Sequence, residues 1–524
     1  MCKFQIFSDT EWIYPDMQVV EAKDVNLYTA RGADVCFQVL TDYVASGEEA
    51  IHVVTEGLPA KGTVELYQLL PACVEENSDR KMLTTKDYAS VSDFVTRQAP
   101  FQVYDITRPI KDGILKSGRI ALFVRVNIPY DEIPGMYTGS MEVYVGTQVM
   151  KINVGLKVYQ TQIPKLADAR FHMVNWIYYD VLAKQHNVTL WSDEYREILE
   201  VYLDNQMDMR NDYLMLPSGE PIRDDNGMVV DFDFSGMEYV GELALKKGFT
   251  RIMGGFVARF VQWNDDDHFL LWDREVGVTT LEGFRQLRLY FAKAWDCVCR
   301  NRWQKYYMQC LVDEPQFPNS LAYRALSGIC RQQMPGIQIH DPVETTDIFG
   351  ALDVWVVKQA TYEQYLDVYR KLQDMGEEIW IYTCGFPGGP VMNRVMDLPL
   401  TVSRLPMWMC YLYDVQGFLH WGYHLHNPEI EKSTCYVIED NLRQPSGNAF
   451  VVYPGEGGPY YGVRGHAQRS GAYDYELFYQ LGLQDNGRQK AKELIKRVCR
   501  GFNDYNSSAE LFNHIRYELL EVLG

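Results

Sequence analysis

From Ala169 to about residue 440 the chain alternates short apolar strands with longer amphipathic stretches, and this alternation constrains the fold more than any other feature. Strands are expected at 171–176, 213–216, 250–253, 305–312, 337–340, 354–357, 379–383 and 417–421. Helical patterns fall between most of them. Thr279 with Glu282 has the spacing of a capping box, and Leu281, Phe284, Leu287, Phe291, Trp295 and Val298 follow as one apolar stripe. Thr361 with Gln364 opens another helix, which Gly376 closes. Eight strand–helix units over about 270 residues have the size of a (β/α)8 TIM-like barrel, an α/β fold.

Residues 1–165 read differently. Apolar and polar residues alternate at period two in 35–40, 52–55, 64–69, 120–126, 138–145 and 151–158, with turns such as Ile133-Pro134-Gly135 and Gly146-Thr147 between them. An N-terminal β-sandwich is expected. After the barrel (166–440), residues 441–524 hold a Gly/Pro-rich loop at 453–459, a strand or turn at 461–464 and helices at 473–482, 488–500 and 508–523.

A net charge of −20 argues against nucleic acid or an anionic membrane as partner. No apolar run is long enough to span a bilayer, and the first residues lack the core of a secretory signal, so the chain is expected in the cytoplasm, or exported with its signal already removed. Eleven cysteines, an odd number with no CxxC pair, are simplest as reduced core residues. Oligomeric state is not legible.

The chemistry concentrates where strand four ends, in Leu311-Val312-Asp313-Glu314-Pro315. Two adjacent carboxylates at the end of an apolar strand repel each other and resist desolvation. The carboxyl ends of barrel strands are where enzymes of this fold work. Aromatic and polar residues at other strand ends, namely Asn175, Trp355, Tyr382 and Trp421, suggest a carbohydrate, whose C–H faces pack on rings. Each also has a plain structural reading: Asn175 as a turn cap, the three aromatics as barrel filling. His340, Asp341 and Asp212 fall at expected strand ends too, and Lys358 reads as solvated. Retaining glycosidases pair two carboxylates about 5–5.5 Å apart. Strand seven, Ile379-Trp380-Ile381-Tyr382-Thr383-Cys384, has none to offer as nucleophile. The substrate's own 2-acetamido oxygen can take that role. Asp313, ionised, would then orient the acetamido N–H, and Glu314, protonated, would serve as general acid and later as base. Adjacent strand residues face opposite ways, so both reach one sugar only if the strand has already broken.

These features together resemble glycoside hydrolase family 123: Val312-Asp313-Glu314-Pro315, the strand-seven run just quoted, Gly417-Phe418-Leu419-His420-Trp421-Gly422-Tyr423, and the tail with Arg464 and Arg469-Ser470-Gly471-Ala472-Tyr473-Asp474-Tyr475-Glu476. The chain departs from the family's pattern at His466, where glutamate is usual, and at Ser470-Gly471, where Asp-Gly is. The resemblance implies a retaining, exo-acting N-acetyl-β-galactosaminidase that needs no cofactor or metal, with Asp313 and Glu314 as the catalytic pair and a glycan bearing a 2-acetamido sugar as partner. Alternatives are a related β-N-acetylhexosaminidase or other glycosidase with a different sugar preference, or a glycan-binding protein without activity. His420, His424 and His426 share strand parity and would permit zinc, but Gly422 and Asn427-Pro428 suggest that the strand ends inside the cluster. Asp265–Asp267 read as a solvated loop, and Arg464 with Asp474 as an ion pair tying the tail to the barrel.

Overall fold

A computed structural model describes residues 3–110, 113–262, 265–438 and 442–524. The chain divides into two compact units: residues 1–171, 385–413 and 422–524 form the first, 172–384 and 414–421 the second. The boundary expected at 440/441 lies outside the described residues.

The first unit is built on two sheets. One has seven strands in the order Phe4–Ser8, Asp34–Ala45, Gly118–Asn127, Thr63–Val74, Phe101–Pro109, Gly458–Gly462 and Val452–Gly455; the other has four, Asp24–Arg31, Gln148–Gln162, Gly135–Val145 and Ile51–Glu56. Phe37, Val39, Leu122 and Val124 of the first pack in one core with Met141, Val143, Ile152 and Val154 of the second. The alternation explains this. In the hairpin of Gly135–Val145 with Gln148–Gln162, Met141 faces Ile152 and Val143 faces Met150, so every second residue of both strands points inward. Gly146, at φ +55°, supplies the left-handed turn residue that two-residue hairpins favour.

Six strands lie where the alternation places them. Phe4–Ser8, Asp24–Arg31 and Phe101–Pro109 were not expected, and the Gly/Pro loop of the tail is a hairpin that extends the seven-stranded sheet. The helix expected from Tyr473 starts ten residues earlier and runs Val463–Gly482. Val463 and Ala467 pack with Phe7, Leu40, Leu69, Val103 and Phe123 on the sheet's other face. Covering a sheet face requires a longer apolar helix than the tail's own periodicity suggested. The expected Arg464–Asp474 pair is absent: Arg464 pairs with Asp105 at 2.9 Å, and Asp474 with Arg404 at 2.6 Å and Arg516 at 2.9 Å. The two residues are ten apart on one helix and face different neighbours.

In the second unit eight short parallel strands follow one another: β1 (His172–Asn175), β2 (Tyr213–Met215), β3 (Arg251–Gly254), β4 (Tyr307–Gln309), β5 (His340–Val343), β6 (Val354–Lys358), β7 (Glu378–Thr383) and β8 (Gly417–His420). β2, β3 and β4 form one ladder; β5, β6, β7, β8 and β1 form another, in that spatial order. A bridge from Gln309 to Ile339 links the ladders beside β4, and the Asp212 amide donates to the Met173 carbonyl at 3.2 Å beside β1. One face of these strands supplies a shared core of Val174, Trp176, Tyr213, Met253, Met308, Cys310, Val354, Val356, Trp380, Tyr382 and Leu419. The rings of Tyr213 on β2 and Trp380 on β7 lie 4.9 Å apart within it.

Helices Asp193–Asp208, Ser235–Lys247, Leu281–Arg300 and Ser320–Gln333 separate the first five strands. Thr280, not Thr279, caps the third of these, accepting from Gly283 N at 3.0 Å, while the Thr279 hydroxyl donates to Asp267 and Leu281 is 84% exposed. Shifting the cap by one residue carries Leu281 out of the stripe. The helix expected from Thr361 is two short ones, Gln359–Gln364 and Leu366–Asp374. β5 starts at His340, where the sequence pattern ends it. No described helix is long and apolar enough to cross a membrane.

Candidate active site

β4 loses its ladder three residues before the acidic pair. Val312 keeps one bridge to Ala258, and Asp313 and Glu314 then leave the sheet. Glu314 adopts φ +52°, a left-handed conformation that costs a non-glycine residue about 1–2 kcal/mol. Neighbouring groups hold it there. Glu314 N donates to the Pro342 carbonyl at 3.1 Å, Glu344 N to the Pro315 carbonyl at 3.3 Å, and the Gln316 amide to the Glu314 carbonyl at 3.0 Å. One step earlier, Leu311 N donates to the Asp341 carboxylate at 2.8 Å, and the Tyr323 hydroxyl donates to the same carboxylate at 2.7 Å. A buried backbone N–H that leaves a ladder needs such a partner. The left-handed residue ends the strict alternation of side chains, which is what two adjacent acids on one sugar require.

Around Glu314 the inward ends of β6 and β7 converge. The Tyr382 hydroxyl donates to Glu314 Oε1. Lys358 Nζ lies 3.5 Å from the same oxygen and forms an ion pair with Glu344 as well. Lys358 continues the inward parity of Val354 and Val356, and its side chain is 3% exposed, so the expectation of a solvated lysine fails. Asp313 is exposed at its surface. The protein packed near its carboxyl, and the Glu314 charge beside it, push that carboxyl well above the usual aspartate range; Lys358 opposes them. This runs against the expectation of a readily ionised Asp313. Burial and the Glu314 charge likewise push the Tyr382 hydroxyl up, so it stays a donor.

Partly buried apolar residues pack on the interior cluster: Tyr178, Met215, Phe256, Cys384 and Trp421, with Trp176 and Phe256 edge to face at 5.2 Å. Trp421 thus lies among them. Asn175, fully buried, donates its amide to Asn211 at 2.9 Å, while Gln206 holds its carbonyl at 3.0 Å. Trp355 is not brought to the acidic pair. It has the opposite parity from Val354 and Val356, donates to Glu377 at 3.2 Å, and packs near Phe349 and Tyr369. His340 sits in the core against Trp380, ring to ring at 4.9 Å, where burial lowers its imidazole to about 4. As the first residue of β5 it lies at the opposite end of the strand from the one expected. Asp212, just before β2, accepts from Met173 N, His172 and Thr250, and so braces the start of the strand.

Glu344 was missed by the sequence reading. The three-residue shift of β5 is the reason: with the strand starting at His340, Glu344 falls just beyond its carboxyl end. Among the described residues no three histidine, cysteine or acidic side chains gather as metal ligands. In the acidic loop, Asn264 lies outside the described residues, while Asp265 accepts from the amides of Val261 and Gln262. The arrangement can deliver a proton from one carboxyl, keep a second within reach of solvent and ligand, and set the Tyr382 side chain beside the first.

The family model described as glycoside hydrolase 123, catalytic domain, matches residues 176–481. A family 123 glycoside hydrolase from Clostridium perfringens, studied for glycolipid glycan hydrolysis, superposes with a TM-score of 0.77 at 12% identity, covering 100% of this chain and 99% of that one. A β-D-glucuronidase from Dictyoglomus thermophilum (TM-score 0.38, 9% identity, 90% and 68% covered) and an endo-β-1,4-mannanase from Thermotoga petrophila (0.37, 11%, 60% and 78%) are far more distant. A comparison with curated proteins found no match.

Proposed function

The chain belongs to glycoside hydrolase family 123 and is a glycosidase; from that premise we propose that it is a retaining, exo-acting enzyme that releases β-linked N-acetylgalactosamine, with the substrate's 2-acetamido group as nucleophile. We read the two parallel ladders as the wall of one (β/α)8 barrel and the two packed sheets of the first unit as a β-sandwich preceding it. The glycolipid glycans hydrolysed by the Clostridium perfringens relative are the substrate class we favour.

One observation carries the reading. Adjacent Asp313 and Glu314 stand at a broken strand end, and the inward residue of β7 beside them is a tyrosine bound to Glu314, not a second carboxylate. In the first step the acetamido oxygen attacks C1. The C1–O bond to the leaving group breaks with its electron pair going to oxygen, and Glu314 transfers its proton to that oxygen. Asp313 accepts the acetamido N–H and offsets the positive charge that grows on the ring formed. Water then attacks C1, the C1–O bond to the acetamido oxygen breaks with its electron pair returning to the acetamido group, Glu314 takes the water's proton, and two displacements leave the anomeric configuration retained. Trp421 and Tyr382 are the proposed sugar contacts; Asn175 is fully buried and its amide is taken up by Asn211.

The test is turnover of aryl 2-acetamido-β-galactosides and -glucosides, with plain β-galactosides as control. Asp313→Asn and Glu314→Gln should each cost at least about 10²–10⁴-fold in kcat, with circular dichroism unchanged. Equal hydrolysis of the plain galactoside would exclude the acetamido nucleophile. Preference for the gluco substrate would leave the mechanism and change the sugar. Binding without turnover, indifferent to Glu314→Gln, would point to a lectin-like protein.

A further inference from the structure

Lys358 takes no part in that scheme. Its ammonium is almost fully enclosed, and a lone buried cation is costly unless anions accompany it. Two do. Glu344, from the segment after β5, lies against it, and Glu314 Oε1 is 3.5 Å away. The Glu344 backbone is itself fastened to Pro315, one residue past Glu314. The order Glu314–Lys358–Glu344 therefore joins the end of β4, the end of β6 and the segment after β5. The other groups facing Glu314 are Asp313 on its own loop and the Tyr382 hydroxyl from β7. Asp341 from β5 bears on Asp313 from below.

We propose that Lys358 and Glu344 are positioning residues of the reaction: they hold one positive charge between two carboxylates, so that the charge arising on Glu314 when it gives up its proton is met by a cation already in place. The inference rests on Glu314 being the general acid. With Glu314 protonated, Lys358 and Glu344 balance each other. Once the proton has moved to the leaving oxygen, the Glu314 carboxylate shares the ammonium, and a preorganised charge of this kind needs no solvent to reorganise around it. When water later returns a proton to Glu314, the pairing with Glu344 is restored.

The two partners have opposite signs, so their removal has opposite effects. Losing the Lys358 cation disfavours the Glu314 carboxylate; the acid keeps its proton to higher pH. Losing the Glu344 anion leaves the full Lys358 charge on Glu314; the acid sheds its proton at lower pH. The alkaline limb of the kcat/KM profile, where the acid must still be protonated, reads this directly. With an aryl 2-acetamido-β-galactoside, Lys358→Met should move that limb up by about 1 pH unit or more and Glu344→Gln should move it down by a similar amount. Lys358→Arg, which keeps the charge, should leave it near the wild-type position even if kcat falls. Limbs that stay in place, or that shift in the same direction, overturn the proposal. Should Lys358→Met not fold, Glu344→Gln decides alone: a downward shift supports the proposal and an unmoved limb overturns it. Wild-type protein without turnover of any 2-acetamido glycoside would overturn the functional reading and this inference with it, whereas active wild type with unmoved limbs overturns only this one.

Discussion

Asp313 shows how a single residue's surroundings determine when it works. Protein packed near its carboxyl and the neighbouring Glu314 both disfavour its charged form, and Lys358 offsets them only in part. The proposed role of Asp313 needs the carboxylate. Activity should therefore fall as pH drops through a value above the ordinary aspartate pKa of about 3.9, and the acid limb of kcat/KM should lie there. An acid limb at or below that value would mean that a different group carries the negative charge. Tyr382 acts beside it. Its hydroxyl donates to Glu314, and hydrogen bonds to ionisable groups are worth about 1.5–3 kcal/mol. Tyr382→Phe should lower kcat by about 10–100-fold without changing the fold, measured on the same aryl glycoside. Which aromatic reaches the site followed from strand parity. Tyr382 shares the inward face with Trp380; Trp355 does not share that of Val354 and Val356, and it packs outward near Tyr369. The sequence put both aromatics at strand ends, and only parity within the folded strand separates them.

At the scale of elements, the site depends on how β4 is fastened to β5. Asp341 receives Leu311 N and the Tyr323 hydroxyl, replacing the ladder bonds that β4 gives up before Asp313. Burial raises this carboxyl well above its usual range. The folded state thus holds a proton on Asp341 that the unfolded chain releases above about pH 3.9, and wild-type stability falls as pH rises from there through the folded value. Asp341→Asn stays neutral and lacks this slope. Denaturant titrations from pH 4 to 7 should show the variant gaining on wild type as pH rises; a constant difference would mean that Asp341 titrates alike in both states. Asp341→Ala, which strands the Leu311 N–H, should cost about 1–3 kcal/mol. Most strands of this region were legible because each carries an apolar run bounded by polar turns. β5 was not, because its four residues, His340-Asp341-Pro342-Val343, are buried yet include two ionisable groups and a proline. Their burial comes from contacts with Trp380, Tyr323 and Leu311, none of which is near in sequence. Misplacing β5 is also what hid Glu344.

For the whole molecule, the first unit draws on three separate stretches of chain. Its seven-stranded sheet takes two strands from the tail, and Arg464, fully buried, pairs with Asp105 of the strand Phe101–Pro109. Removing one partner of a buried pair costs about 3–5 kcal/mol, so Arg464→Met should lower the thermal midpoint markedly. A protein ending at residue 440 should fail to unfold cooperatively when followed by near-ultraviolet circular dichroism. A truncated chain as stable as the full one would show that the N-terminal sheets stand without the tail. The sequence by itself determined the local alphabet: where strands of period two give way to strands alternating with helices, and where two acids meet a proline at a strand end. Those patterns are written in neighbouring residues, because side-chain alternation, capping and turn chemistry act over a few positions. Only the tertiary structure decided which sheet the tail joins, that Glu314 turns left-handed, and that Lys358 lies between two carboxylates. Each of these depends on groups tens to hundreds of residues apart, whose desolvation and charge balance arise only once the chain has closed around them.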